Sequence, residues 1–476
     1  MKRYDLIVIG GGPGGEKAAV KAAYFGHKVA LVEAKERLGG AAINTGTLPS
    51  KTLKETALFF SGKYQRGLYG VESETLYPSS IEQFMYRTKY VMESEALDVL
   101  NNIVRHQVAL YKGHGHFIDP HTVEVVASDG KTQQIQADYI IIATGSYPFH
   151  PPYIPFDNKR VHDSDTILNM TRTPRSICVT GAGVIGCEYA TILAEVGVKV
   201  YLSNPTDQIL TFLDREIAKA LIYQMEKDGI TLLLNEKVTG IDVPSNSSLP
   251  LTVHFESGAS IQTDGYLFAA GRNGNINGLG LERIGIKVGS REFIEVDDTY
   301  RTNIPHIYAI GDVIGFPSLA STSMDQGRVA VAHIFKTKDF DILAKVIPFG
   351  IYTIPEVSMV GMTEEEAIKQ NIPYCVGRAR YKDLLRGKIM GTESGYMKII
   401  FRKDDLVIIG VHLIGNIASE IIHYGMTLVE RKMSVQEVIS VVFNFPTLHD
   451  LYKYACYDGL GNLSGHKIKI WENNSH

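Results

Sequence analysis

Two short runs of glycine carry the first readable chemistry of this chain. Gly10-Gly11-Gly12-Pro13-Gly14-Gly15 and Gly181-Ala182-Gly183-Val184-Ile185-Gly186 share the spacing Gly-x-Gly-x-x-Gly. The first glycine of such a run permits a tight turn, the second lets backbone approach a pyrophosphate, and the third lets a helix pack on a strand. The helix that follows then offers unpaired N–H groups to the phosphates. Beyond Gly12, Glu33 falls where an acidic side chain takes a ribose hydroxyl. The same interval counted from Gly183 ends on Asn204. A carboxylate there repels a 2′-phosphate. Neutral Asn204 removes that repulsion without bringing a cation, so the second site is expected to accept both NAD and NADP. Pro205-Thr206-Asp207 adds no basic residue, which leaves Arg215 or Lys199 to supply a charge for the 2′-phosphate.

Such glycines work only between a strand and a helix, and the flanking sequence supplies both. The apolar run Tyr4 to Ile9 enters the first fingerprint, a helical stretch continues to Phe25, and His27 to Val32 forms the next strand. Ser176 to Thr180, a helix through Val196 and a strand Val198 to Leu202 repeat the pattern. Three more apolar runs, Asp138 to Thr144, Tyr266 to Ala270 and Ile307 to Ile310, stop at Gly145-Ser146, Gly271-Arg272 and Gly311-Asp312. These read as parallel strands opening into a cofactor crevice. Pro148 to Pro155 reads as a linker, and beyond about Val346 mixed strands and helices, such as Ser419 to Glu430, mark a third unit.

With 476 residues the chain exceeds one hydrophobic core. A net charge of -4 gives no basic field for nucleic acid. No run of 18 apolar residues occurs, and Leu6 to Ile9 ends in glycines rather than a cleavage site, so no membrane span and a cytoplasmic protein are expected. The four cysteines, Cys178, Cys187, Cys375 and Cys456, lack metal-ligand spacing and read as buried, reduced thiols; no metal is expected.

In order along the chain, Gly10 to Gly15 with Glu33, Gly39-Gly40, Pro49-Ser50-Lys51, Ala143-Thr144-Gly145, Gly181 to Gly186 with Glu188, Gly271-Arg272, Gly311-Asp312 and Tyr352-Thr353-x-Pro355-Glu356 resemble the pyridine nucleotide-disulfide oxidoreductase family. The resemblance implies an α/β fold with two Rossmann-like dinucleotide-binding domains and a C-terminal α+β dimerisation domain. It places the FAD domain at 1–150 and 275–345, the nicotinamide domain at 151–274 and the interface domain at 346–476, and it implies a homodimer. Lys51 and Glu188 match the catalytic pair beside the flavin's reactive nitrogen, and Asp312 matches the contact to the ribityl chain. The remaining cofactor positions it implies are Gly10, Gly12, Gly14, Gly15, Glu33, Ala34, Gly39, Gly40, Ala42, Gly115, Thr144, Gly145 and Ala320 for FAD. For the nicotinamide nucleotide they are Gly181, Gly183, Gly186, Glu188, Asn204 and Gly271. Pro49 is expected to start the helix bearing Lys51, and a helix N-terminus within Ser321 to Ala332 to face the flavin.

Members with disulfide chemistry carry two cysteines after the double glycine, where this chain has Ala42 and Thr47. They also carry a proton-shuttling His before Pro in the C-terminal domain, where Phe445 precedes Pro446. His449-Asp450 nearby reads as a surface helix position rather than a shifted acid-base pair. Without thiols or base, electrons that reach the flavin leave from the flavin. Within the family these substitutions look like those of the soluble pyridine nucleotide transhydrogenases, which implies FAD-dependent hydride exchange between NADPH and NAD through one nicotinamide site in a ping-pong cycle. An NAD(P)H-dependent quinone or dye reductase is the alternative expectation.

Overall fold

The computed structural model describes residues 1–64, 68, 80–337, 342–392 and 394–466. The first unit is built on β1 (Lys2–Ile9), α1 (Pro13–Tyr24) and β2 (Val29–Glu33), followed by α2 (Gly40–Asn44), α3 (Thr47–Ser61), α4 (Ile81–Arg105), β3 (Ala109–Lys112), β4 (His114–Asp119), β5 (Thr122–Val126), β6 (Thr132–Ile142) and β7 (Ser146–Pro148). Its sheet runs β3-β2-β1-β6-β5-β4. Leu6, Ile7 and Val8 are wholly buried, as strands covered on both faces must be. Along β1 the parallel register pairs Leu6 with Val29 and Ile9 with Ile142, which brings the strand ends level beneath the glycine turn. The long β6 pairs in parallel with β1 from Ile135 to Ile142, and on its other edge it pairs antiparallel with β5 over Thr132 to Gln136 and in parallel with Ile307 to Ala309 over Ile140 to Ile142.

The second unit repeats the plan with β8 (Val161–Asp163), β9 (Ser176–Thr180), α5 (Val184–Glu195), β10 (Lys199–Asn204), α6 (Arg215–Lys227) and β11 (Thr231–Leu234). A meander of β12 (Val238–Asp242), β13 (Leu251–Phe255) and β14 (Ser260–Thr263) then leads to β15 (Gly265–Phe268) and β16 (Arg272–Gly274). Its parallel sheet has the order β11-β10-β9-β15-β8. Of the stretch Pro148 to Pro155, only Pro148 lies in a strand, and the stretch leads from the first unit into the second. Ser146 to Pro148 pairs antiparallel with Arg272 to Gly274, so the chain leaves the first unit and returns to it through one two-stranded ribbon.

After the ribbon come α7 (Leu281–Ile284), β17 (Ile307–Ala309) and α8 (Ala320–Phe335). β17 rejoins the first sheet beside β6, with Ile307 opposite Ile140, and α8 crosses α1 so closely that a Cβ on Gly327 would lie 2.4 Å from the Gly14 carbonyl.

The last unit holds β18 (Phe349–Ile351), β19 (Glu356–Gly361), α9 (Glu364–Lys369), β20 (Tyr374–Arg380), α10 (Leu385–Met390), β21 (Tyr396–Arg402), β22 (Ile408–Gly415), α11 (Ala418–Glu430), α12 (Val435–Ser440) and α13 (Asp450–Ser464). Its antiparallel sheet, β18-β19-β22-β21-β20, packs against α11 and α13 around Tyr381, Phe401 and Tyr452. A buried cation ties it to the second unit: Lys398 on β21 donates to both oxygens of Asp214 at 2.9 Å, and Asp214 caps α6 through the Glu216 N–H. No helix among the described residues is long and apolar enough to cross a membrane.

Candidate functional site

The first fingerprint forms the turn that its spacing requires. Gly10 has φ +108°, and a Cβ there would stand 2.3 Å from the Ala143 carbonyl oxygen; one on Gly15 would stand 1.9 Å from the Gly10 oxygen. Only glycine fits at either place. Gly12 is different: a Cβ would meet only the Gly40 Cα at 3.7 Å, so the surface above it is open to a phosphate. Gly14 presses on α8 at Ser323. Glu33 accepts the Gly11 N–H through Oε2 and the Lys35 N–H through Oε1, both at 2.7 Å, which fixes the carboxylate over the turn. Ala34 lies exposed beside it, Gly39 and Gly40 take left-handed φ at the start of α2, and Gly115 packs on Val32 and Ile9 at the same sheet edge. Thr144 Oγ1 is buried with no hydrogen-bond partner among the described residues, next to Gly145 at φ +74°. An orphaned hydroxyl beside an open glycine cradle fits a bound dinucleotide.

The second fingerprint has the same construction. A Cβ on Gly186 would lie 1.8 Å from the Gly181 oxygen, Gly181 has φ +101°, and a Cβ on Gly183 would meet nothing within 4 Å. Asn204 substitutes for a carboxylate in detail, because its Oδ1 accepts the Ala182 N–H at 3.1 Å as Glu33 accepts that of Gly11. Its Nδ2 donates to Thr206 Oγ1 and to the Gln208 carbonyl, each at 2.9 Å, and folds the following loop back on itself. Lys199 does not serve this pocket. It sits at the opposite end of β10, paired with Ser176, with its ammonium over the Tyr201 ring. Arg215 begins α6 and lies 3.9 Å from Glu365.

Between the two cradles, α3 meets α5. Lys51 donates to both oxygens of Glu188 at 2.9 Å, and Ser50 Oγ donates to Glu188 Oε2 at 2.9 Å. Glu188 is 3% exposed in its side chain and Lys51 25%, so the carboxylate is sealed while the ammonium reaches the crevice. The Tyr352 N–H donates to Glu188 Oε1 at 3.0 Å, and its ring lies 4.8 Å from the Lys51 ammonium. Glycine fingerprints cannot show this convergence, since Tyr352 comes from the third unit; its place in the Tyr-Thr-x-Pro-Glu motif is the signal that sequence offered. One turn further along α3, buried Lys54 pairs with buried Glu356 at 2.5 Å, and Glu356 accepts the N–H and hydroxyl of Ser419. Burial lowers the Lys54 ammonium, but the charges and hydrogen bonds of Glu356 and Glu55 together outweigh it and hold the group above its ordinary value. The helix begins at Thr47 rather than at Pro49, which is its third residue and, like Thr47 and Leu48, needs no intrahelical N–H partner.

Asp312 follows β17, where burial pushes its carboxyl up against the opposing pull of Ser146 and Arg272. Ala320 is the first residue of α8, one position before the expected segment, and Gly271 stands with φ +134° between β15 and β16. Ala42 is half-buried in α2 and Thr47 exposed at the start of α3; a thiol stands at neither. All four cysteines are buried, and burial pushes the Cys178 thiol up to about 12, so none is a ready thiolate. Phe445 is 73% exposed with Val442 on the outer surface of the third unit. His449 is half-buried at the start of α13, where burial lowers its imidazole below the usual range.

Residues 4–327 match the model of the pyridine nucleotide-disulphide oxidoreductase family, and residues 347–456 match the dimerisation domain of that family. The chain is 43% identical over 465 residues to a protein of Mycobacterium bovis named soluble pyridine nucleotide transhydrogenase, covering 97% of this chain and 98% of that one. A protein of the same name from Pseudomonas putida is 41% identical over 463 residues, covering 97% and 99%. Among solved structures, LpdA from Mycobacterium tuberculosis superposes with a TM-score of 0.88 at 26% identity, covering 96% of this chain and 99% of that one. The HOCl-induced flavoprotein disulfide reductase RclA from Escherichia coli superposes with a TM-score of 0.85 at 26% identity, covering 95% and 99%. Two glycine cradles, a lysine-carboxylate pair between them and near full-length relatives agree: the chain belongs to the pyridine nucleotide-disulfide oxidoreductase family.

Proposed function

We propose that the chain is an FAD-dependent transhydrogenase that moves hydride between NADPH and NAD. The observation that carries this reading is the intact Lys51–Glu188 pair in a site whose two thiol positions hold Ala42 and Thr47. The names of the relatives at 43% and 41% identity support it. In this reading residues 1–150 and 275–345 hold FAD, 151–274 the nicotinamide nucleotide, and 346–476 form the interface of a cytoplasmic homodimer; the described residues of that last span end at 466.

FAD bound along the first cradle supplies a two-electron centre that exchanges hydride with nicotinamide. The open face of Gly12 and the N-terminus of α1 take its pyrophosphate, Glu33 and Ala34 the adenosine end, and Gly39, Gly40, Ala42, Gly115, Thr144, Gly145, Asp312 and Ala320 line its remaining length. Gly181, Gly183 and Gly186 take the nucleotide, with Asn204 at the ribose and Gly271 toward the nicotinamide. Lys51, held by Glu188, stabilises the negative charge that hydride delivers, an interaction that grows as the charge develops. Glu188 aims the ammonium instead of taking a proton. NADPH and NAD occupy the one pocket in turn, and no group has to carry a proton when hydride both enters and leaves as hydride. Anaerobic mixing of the holoenzyme with NADPH and a thio-analogue of NAD tests the reading. Hydride arrives on the analogue; turnover with a quinone but none with the analogue indicates a dye reductase instead.

A further inference from the structure

Arg272 spans the ribbon where the two nucleotide-binding units meet. Its Nε donates to Ser146 Oγ and its Nη2 to the Ser146 carbonyl, both at 2.9 Å. Its Nη1 reaches the second unit, donating to Ser164 Oγ at 2.9 Å and Asp165 Oδ1 at 3.0 Å. Ser146 Oγ in turn lies 3.0 Å from Asp312 Oδ2. A guanidinium can only donate, so Ser146 Oγ accepts from Arg272, and its single proton is left for the Asp312 carboxylate. The direction of the chain is thereby fixed: Asp165 and Ser164 orient Arg272, Arg272 orients Ser146, and Ser146 orients Asp312.

We propose that Arg272 is a positioning residue for the flavin: acting through Ser146, it keeps the Asp312 carboxylate hydrogen-bonded and aimed at the ribityl chain, so the nicotinamide unit helps retain FAD. This rests on Asp312 being the ribityl contact. Burial works against the charged carboxylate, and the hydrogen bond from Ser146 and the charge of Arg272 oppose that cost. The other elements packed there add no second cation among the described residues. On the turn Ser290–Glu292, Glu292 is engaged by the Tyr147 hydroxyl, and the neighbouring Arg291 is exposed and lies toward Gly271. On α8, neutral Gln326 takes the Gly311 N–H. Asp165 faces the far side of Arg272.

Flavin release from the holoenzyme as pH is lowered, followed by the rise in free-flavin fluorescence, tests the proposal. Ser146→Ala and Arg272→Gln are expected to move the release midpoint to higher pH by about one unit, the size of one lost hydrogen bond to a charged group. Arg272→Lys, which keeps charge but not the fork, is expected to fall between them and the wild type. Asp312→Asn removes the titrating group and flattens the profile. If Asp312→Asn flattens the profile while Ser146→Ala and Arg272→Gln leave the midpoint in place, the positioning role is overturned. If Asp312→Asn changes neither profile nor retention, the ribityl reading itself fails. Ser146→Ala removes one oxygen and keeps the ribbon, so its midpoint can be read even if the arginine variants fold poorly.

Discussion

The Lys51 ammonium donates to both carboxylate oxygens of Glu188 at 2.9 Å, from a helix of the first unit to a helix of the second. An ion pair across that seam makes the geometry at the proposed flavin site depend on how the two units sit together. Lys51→Met is expected to slow flavin reduction by NADPH by about 100- to 1000-fold while FAD stays bound, the range seen when a group that meets developing charge is removed. Glu188→Gln keeps the shape but weakens the aim, and is expected to give a smaller loss. Stopped-flow bleaching of the flavin absorbance band reads both.

Gly186→Ala separates the two cradles. Its Cβ would lie 1.8 Å from the Gly181 oxygen, so the second turn has to open, while the first is untouched. The variant is expected to keep its flavin and to lose nucleotide-dependent bleaching at any practical concentration. Release of flavin instead would show that the cradles are not independent.

Asp207→Arg addresses the nucleotide. The side chain is exposed, beside a loop that Asn204 and Thr206 hold closed. A cation there meets a 2′-phosphate, and a charge-assisted contact is expected to lower KM for NADPH about tenfold relative to NADH. An unchanged ratio of the two KM values would place the adenosine ribose elsewhere.

Restoring thiols at Ala42 and Thr47 together is expected to give no dihydrolipoamide dehydrogenation, because Phe445 has no proton to exchange with a dithiol. A double variant that turns over dihydrolipoamide rapidly would assign the proton to another group, and half-buried His449 would be the first to replace.

Acid should loosen the seam between the second and third units. Burial alone raises the Asp214 carboxyl, but His412 and Lys398 outweigh it and hold it below its ordinary value. A lowered folded value means that the carboxylate stabilises the fold above its unfolded pKa of about 3.9 and that this contribution fades as pH falls through the folded value. Lys398→Met leaves Asp214 buried without its cation and is expected to cost about 3–5 kcal/mol at neutral pH. Melting temperature against pH shows both: the variant melts lower at neutral pH, and the gap closes as Asp214 protonates.

The nucleotide cradles were legible in sequence because the first and last glycine of each run answer a local steric demand, and the strands before them are buried on both faces. Glu188 and Lys51 were legible only through the family pattern, since nothing local links residues so far apart. Ser50, the Tyr352 N–H and the Lys54–Glu356 pair escaped because they converge from separate units. The same is true of Arg272, whose Gly-Arg motif marks the crevice but not its four hydrogen bonds. Lys199, one of the two basic residues offered for the 2′-phosphate, lies at the wrong end of β10, because nearness in sequence does not say which end of a strand faces the ligand. The ribbon that ends at the start of the Pro-rich stretch escaped, because nothing local shows that Ser146 to Pro148 pairs with Arg272 to Gly274.

The central claim is that no redox group besides flavin lies between nucleotide and nucleotide. Anaerobic titration of the holoenzyme with NADPH measures this directly, through flavin absorbance against nucleotide added. A single equivalent per flavin is expected to bleach the band fully, with no long-wavelength thiolate-to-flavin band at the halfway point. Uptake of a second equivalent, or the appearance of that band, would reveal a hidden acceptor and contradict the account.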